Sequence, residues 1–158
     1  MSTDRIFLRH TLATLAYRGG KTVRDASPGF ATYGAPDTAR TLAKILAHIG
    51  DLMDWALSMA EGNQKWKDST PLAWDKEGER FHAAVKKFDD YLASEAPLQV
   101  PPHKLFQGPI ADALTHVGQL AMLRRLAGCP IKGENYFAAE ITSGRVGADQ
   151  AAPRRPFD

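Results

Sequence analysis

Cysteine is almost absent from this sequence, since Cys129 is the only one in 158 residues. A single cysteine excludes an internal disulfide, so the fold has to rest on an apolar core. Cys129 precedes Pro130 just after an expected helix end, a position that favours a small packing residue over a nucleophile. Hydrophobic residues make up 44% of the chain. That share is enough for one core, and we expect one domain over residues 1–158.

Long apolar runs are also lacking. No stretch approaches the roughly 18 uninterrupted apolar residues of a membrane span. The first ten residues include Asp4, Arg5 and Arg9, where a secretion signal would need a continuous apolar segment. We therefore expect a cytoplasmic protein without a membrane partner.

Neither sign of charge predominates. The chain has 20 Lys and Arg against 18 Asp and Glu, for a net charge of +2, and the two signs are interspersed. Proteins that bind nucleic acid usually present a basic stripe, so nucleic acid is not expected as a partner. Arg124 and Arg125 stand near a helix C-terminus, where the helix dipole favours cations, and we expect both to be solvated.

Strand-like alternation is missing too, and four segments show helical periodicity instead. The pattern predicts an all-α protein, a four-helix bundle, with helices over about 3–17, 37–60, 75–94 and 104–127. Gly19 and Gly20 are predicted to end the first helix, and Asp37 or Thr38 to cap the second. Residues 131–158 form a C-terminal tail, for which three residues are expected anchors: Tyr136, Phe137 and Ile141.

Asp112 and His116 are the most informative residues of the chain. They stand four positions apart, so a helix places them on one face. In a helical projection, four apolar residues lie on the same face: Leu105, Leu120, Leu123 and Ala127. A carboxylate and an imidazole within an apolar stripe need a partner, and a divalent metal accepts both as ligands.

His48 is the natural third ligand. It lies near the middle of the second helix, on a face with Ile45, Leu52 and Trp55. Asp112 and His116 also lie near the middle of their helix, so we expect all three residues at the same level of the bundle. Packed helices are close enough for facing side chains to share an ion. The other interpretation makes His48 and His116 core histidines, hydrogen-bonded to residues such as Asp112, Thr41 or Gln119.

These residues resemble the DinB/YfiT-like superfamily of metal-dependent four-helix-bundle proteins. The second helix reads Ala47-His48-Ile49-Gly50-Asp51, with a histidine where the family has a ligand. The fourth reads Asp112-Ala-Leu-Thr-His116-Val-Gly118-Gln119, close to the family pattern H-x-x-x-H-x-G-Q. The resemblance covers nearly the whole chain in helix order, and the family's ligands carry over to His48 and His116. Asp112 replaces the first histidine of the pattern.

The resemblance implies an up-down-down-up bundle, often dimeric, with a divalent transition metal such as Zn²⁺, Ni²⁺, Mn²⁺ or Fe²⁺. Some relatives transfer low-molecular-weight thiols onto electrophiles. We therefore expect a hydrolase or a thiol transferase in which metal-bound water or thiol attacks a small electrophilic substrate, so no side chain is singled out as catalytic. Two histidines and one carboxylate also suit non-haem iron and oxygen chemistry. The non-enzymatic alternative is a binding or interaction bundle whose polar trio is structural or vestigial.

Four further residues are candidates for the surroundings of the metal. Gln119, one turn beyond His116, is expected to orient a ligand or to pack against the second helix. Trp55 either walls the pocket or fills the core. Tyr17 and His10 share a face of the first helix and either line the mouth of the pocket or lie on the surface.

Overall fold

Helices dominate the computed structural model, which describes residues 1–34 and 40–157. They are α1 (Thr3–Val23), α2 (Leu42–Ala60), α3 (Trp74–Ala93), the short α4 (Pro102–Leu105) and α5 (Ala111–Leu126). A π-helical segment, Phe106–Ile110, joins α4 to α5, and two short 3₁₀ helices span Pro28–Thr32 and Tyr136–Ala138. The strands β1 (Gly133–Glu134) and β2 (Pro156–Phe157) form one antiparallel pair. The prediction of a mainly helical protein is confirmed. Among the described helices, none has both the length and the apolarity to cross a membrane.

The first helix is longer than the sequence suggested, because Gly19 and Gly20 lie inside α1 and do not end it. The reason is close packing. A Cβ on Gly19 would lie 2.7 Å from Cζ of Phe81 in α3. The missing side chain therefore allows the two helices to approach, and this gain offsets the helix propensity that glycine lacks.

The second helix begins later than predicted. Its N-cap is Thr41, whose side-chain oxygen accepts a hydrogen bond from the amide of Lys44 at 3.3 Å. The predicted caps, Asp37 and Thr38, lie outside the described residues.

Glycines end two of the helices as predicted. Gly62 follows α2 with φ +77°, and Gly128 follows α5 with φ +80°. Both lie in the left-handed region, which glycine enters without the steric cost of a side chain.

The predicted fourth helix is helical throughout but not regular. Pro109 has no N–H to donate and its ring crowds the preceding turn, and it lies within the wider π-helical segment. A π turn adds one residue to the helical repeat, so the buried face moves forward by one position. It continues from Leu105 through Ala113, Val117, Leu120 and Arg124. The prediction that Asp112 lies within the buried stripe is therefore wrong.

Two helix pairs surround the core. α1 packs against α3 and α5, and α2 packs against the same two helices. Large side chains that are almost fully buried fill the space between them: Leu12, Leu15, Leu46, Ile49, Met53, Phe81, Phe88 and Leu92.

Contacts of α1 with α3 join opposite ends of the two helices. Arg9, near the start of α1, forms a salt bridge of 2.8 Å with Asp89 near the end of α3. The indole of Trp74, the first residue of α3, donates to the carbonyl of Val23 at the end of α1.

Contacts of α2 with α3 join corresponding positions. Arg80 in α3 donates to the carbonyl of Ala47 in the first half of α2. Tyr91, near the end of α3, donates through its hydroxyl to the carbonyl of Ala60, the last residue of α2.

A buried arginine closes the end of each helix of the α1 and α3 pair. Arg5 donates to the carbonyls of Tyr91, Leu92 and Ser94 at the end of α3. Arg124 donates to the carbonyls of residues 21, 22 and 24 at the end of α1. Because the last carbonyls of a helix have no partners within it, these guanidinium groups satisfy acceptors that would otherwise be buried and unpaired. The prediction that Arg124 is solvated is therefore wrong, whereas Arg125 is exposed.

The C-terminal tail is attached through a polar residue. Glu134 is buried and accepts hydrogen bonds from Lys21 and from the hydroxyl of Tyr17. Tyr136 packs edge-to-face against Tyr17. Phe137, in contrast, is 99% exposed, so its predicted role as an anchor is wrong.

Arg124→Ala should lower the free energy of unfolding by about 3 kcal/mol, because it leaves several buried carbonyls without a donor. Urea denaturation followed by circular dichroism measures the change. Arg125→Ala, at the exposed neighbouring position, is the matched control and should stay within about 0.5 kcal/mol of the parent protein. Equal stabilities of the two variants would contradict the capping role of Arg124.

Candidate metal centre

The fold brings His48, Asp112 and His116 together, although the three residues come from two helices. One ligand atom from each lies within 4.8 Å of the other two. His48 stands near the middle of α2, and Asp112 and His116 lie one turn apart on α5, beside its buried face. The extra residue of the π-helical segment puts Ala113 and Val117 in the core, so the pair turns towards α2.

The separations within this triad differ from those of hydrogen bonds. Nε2 of His116 lies 3.4 Å from one Asp112 oxygen, and Nε2 of His48 lies 3.8 Å from the other. Side-chain hydrogen bonds of this kind are normally about 2.7–3.2 Å long. The two imidazoles meet edge-to-face, with ring centroids 4.7 Å apart. The three polar groups thus converge on one place without forming a closed hydrogen-bonded network.

Gln119 fixes the orientation of His116. Its side-chain oxygen lies 2.7 Å from Nδ1 of His116. Because an amide oxygen only accepts, Nδ1 carries the proton and Nε2 of the neutral ring keeps its lone pair. This lone pair faces Asp112. Histidines that bind metals are commonly held in this way by an outer hydrogen bond.

His48 lies in a drier environment. Its side chain is 14% exposed, and Nδ1 is buried without a hydrogen-bond partner among the described residues. Burial, together with the nearby charge of Arg40, lowers the pKa of His48. The neutral imidazole is therefore favoured, which is the form that binds a metal.

Trp66 packs against both His48 and Trp55. The ring of Trp66 lies 5.6 Å from His48 and 5.8 Å from Trp55, in both cases edge-to-face. Trp55 packs against the hydrophobic core, as one of its two predicted interpretations held, and it lines neither of the described cavities beside the two histidines. Its indole N–H is buried with no partner in the described part of the chain. Trp66 was not predicted as a site residue. It comes from the loop between α2 and α3, whose polar composition gave no periodic signal.

That loop is tied to both neighbouring helices. Ser69 donates to the carboxylate of Asp51 from its amide at 2.9 Å and from its hydroxyl at 2.7 Å. Arg80 of α3 also binds Asp51, and donates to Glu77 at 2.9 Å. Asp51 lies one turn beyond His48 on α2, so this buried ion cluster positions the ligand helix and the Trp66 loop together.

The remaining candidates lie apart from the triad. His10 is exposed on α1. Tyr17 is 1% exposed, and both oxygens of Glu134 accept from its hydroxyl at 2.9 Å. Neither residue lines the described cavities beside His48 and His116.

Comparisons of the chain with protein-family models, with curated proteins and with solved structures gave no match. The resemblance to the DinB-like superfamily therefore stays a prediction, which rests on the residues quoted for it.

Tyr17 should titrate later than an ordinary tyrosine. Burial and the hydrogen bond to Glu134 raise its pKa from 10.0 to about 12, so its phenol stays protonated in this interval while the chain is folded. Above pH 10 the unfolded chain loses this proton first, and stability therefore falls as the pH approaches 12. Absorbance at alkaline pH should contain a component near pH 12 that Tyr17→Phe removes.

Tyr33→Phe is the control for this titration, because Tyr33 lies on the surface at 37% exposure. It should leave the late component unchanged. Circular dichroism at each pH verifies that the protein is folded. A late component that persists in Tyr17→Phe would show that another group causes it.

Proposed function

We propose that this protein is a metal-dependent enzyme of the DinB-like superfamily, either a hydrolase or a low-molecular-weight thiol transferase, which acts on a small electrophilic substrate. The observation that carries the proposal is the convergence of His48, Asp112 and His116 at separations longer than hydrogen bonds. Of the hydrogen bonds that the alternative of two core histidines predicts, the one between His116 and Gln119 is present, whereas both histidines stand farther than hydrogen-bond distance from Asp112.

The three side chains fit a divalent ion. Two ligands that are each about 2.1 Å from one ion lie roughly 3–4 Å apart. The separations of 3.4 and 3.8 Å, each to a different oxygen of Asp112, fall in this range, and one ligand atom from each of the three residues lies within 4.8 Å of the others. Imidazole nitrogen and carboxylate oxygen together suit Zn²⁺, Ni²⁺, Mn²⁺ and Fe²⁺. Asp112 is 48% exposed, so solvent and substrate reach the triad from its side.

The set of three ligands favours a catalytic ion over a structural one. Three protein ligands leave coordination positions open, and two neutral histidines with one carboxylate leave a divalent ion with a net charge of +1. An ion held there would supply Lewis-acid activation of a water or a thiol. The chain's own residues would orient His116 through Gln119 and shield the His48 side from water through Trp66.

The directions of the helices support the bundle that this family would require. Opposite ends of α1 and α3 meet, whereas α2 and α3 meet at corresponding positions. Arg124 near the end of α5 reaches the end of α1, and Phe106 before α5 lies 6.2 Å from Phe7 near the start of α1. Taken in chain order, these contacts fit an up-down-down-up arrangement.

A homodimer and a cytoplasmic location belong to the same proposal. The dimer is supported by apolar residues on the surface near the start of α1. Ile6 and Phe7 are 54% and 57% exposed, and Phe106 next to them is 38% exposed. Covering such side chains with a second copy would remove apolar surface from water.

Zinc binding tests the site directly. The purified protein, stripped and reloaded with Zn²⁺, should bind about one equivalent. His48→Ala and His116→Ala should each lower the affinity more than about 100-fold, because the loss of a ligand costs more than the loss of its outer partner. Asp112→Ala should also weaken binding. Competition with a chromogenic chelator measures all three.

His10→Ala is the matched control, since His10 is exposed and outside the triad. It should bind zinc like the parent protein. Metal-dependent ester hydrolysis or thiol conjugation that disappears in His116→Ala would support the enzymatic assignment. Full affinity in all three triad variants would place the ion elsewhere. No binding at all would favour the non-enzymatic bundle.

Gln119→Leu should weaken zinc binding about tenfold, because His116 loses the acceptor that fixes its ring and proton. Its control is Gln99→Leu, an exposed glutamine between α3 and α4. Chelator competition again provides the readout. Equal affinities in the two variants would show that Gln119 does not position the ligand.

A further inference from the structure

Two open cavities flank the triad, and Arg40 lines both of them. One has a volume of about 320 Å³ and includes His48 and Lys44 in its wall. The other has a volume of about 330 Å³ and includes His116. Each histidine therefore borders a different cavity, and one arginine lines both cavities.

The cavity beside His116 is mainly apolar. Ile45 of α2 and Met122 and Leu123 of α5 form much of its wall. Met122 is 60% exposed, so a bound group would cover apolar surface that water now contacts. Methionine is also flexible and adapts to differently shaped ligands. Such a wall suits a hydrocarbon chain or ring.

Arg40 gives this apolar cavity a fixed positive charge. Among the described residues that line it, Arg40 is the one formally charged side chain, and Gln119 and His116 are its other polar residues. The acidic residues Asp51 and Asp68 line the other cavity, where Arg80 and Ser69 already bind the carboxylate of Asp51. A guanidinium next to an apolar wall matches a carboxylate, which it can bind through two parallel hydrogen bonds.

We propose that this site takes a small monocarboxylate that carries an apolar chain or ring. The carboxylate binds Arg40, and the apolar group covers Ile45, Met122 and Leu123. The ligand then lies beside His116. That such a ligand is the substrate rests on the proposed function, whereas its binding does not require the metal.

The test compares four probes on the full chain, with and without Zn²⁺, by NMR titration of the backbone amides, and phenyl phosphate is the fourth. 3-Phenylpropionate has both features, 3-phenylpropan-1-ol lacks the charge and propionate lacks the ring. 3-Phenylpropionate should bind roughly tenfold more tightly than either partial probe, because a charged hydrogen bond and apolar burial each contribute. The shifts should centre on Ile45 and Met122.

Two variants separate the contributions. Arg40→Gln should weaken 3-phenylpropionate about tenfold and leave 3-phenylpropan-1-ol unchanged. Met122→Ser should weaken both ring-containing probes by about fivefold. Arg155→Gln, an exposed arginine near the C-terminus, is the matched control and should change neither.

Equal affinity for 3-phenylpropionate and its alcohol, or an Arg40→Gln variant that still prefers the acid, would overturn the inference. Tighter binding of phenyl phosphate than of 3-phenylpropionate would overturn its restriction to carboxylates. These outcomes are distinct from failure of the proposed function. If the triad binds zinc but the protein binds 3-phenylpropionate no more tightly than its alcohol, only this inference is contradicted. If the protein prefers 3-phenylpropionate but binds no metal, only the proposed function is contradicted.

Discussion

The π-helical turn at Phe106–Ile110 is the constraint on which the candidate site depends. Because this turn holds one residue more than an α-helical turn, it rotates everything that follows relative to α4. Ala113 and Val117 then face the core, while Asp112 and His116 lie at its edge towards α2. A regular helix would have buried the carboxylate, at a high desolvation cost and away from solvent.

Charged side chains hold the other parts of the site in place. Arg80 binds Asp51 on α2 and Glu77 on α3, and Asp51 also accepts from Ser69 in the connecting loop. One buried cluster therefore positions the helix of His48 together with the loop that covers it. Breaking one member would leave an uncompensated charge, so the cluster acts as a unit. Arg5 and Arg124 play a comparable part at the ends of α3 and α1.

Much of the fold was predictable because helical periodicity and glycine after a helix are local signals. Gly62 and Gly128 follow their helices as expected, whereas Gly19 lies within α1 because it packs against Phe81. That contact joins residues far apart in the chain, so no local pattern contains it. The grouping of His48 with Asp112 and His116 was predicted from their spacing, from their matching positions along two helices and from the resemblance to the family pattern, although the argument that Asp112 is buried was wrong.

The sequence by itself determined the helical class, the absence of internal disulfides, and three potential ligands at matching positions on two helices. These properties follow from composition and from spacing along one element. The tertiary structure decided which faces these residues present, that Trp66 covers His48, and that Arg40 lines the cavities beside both histidines. The physical reason is that rotation about a helix axis and the course of a loop depend on packing against residues that are distant in the sequence. A single π turn is enough to move the buried face of a helix by one position.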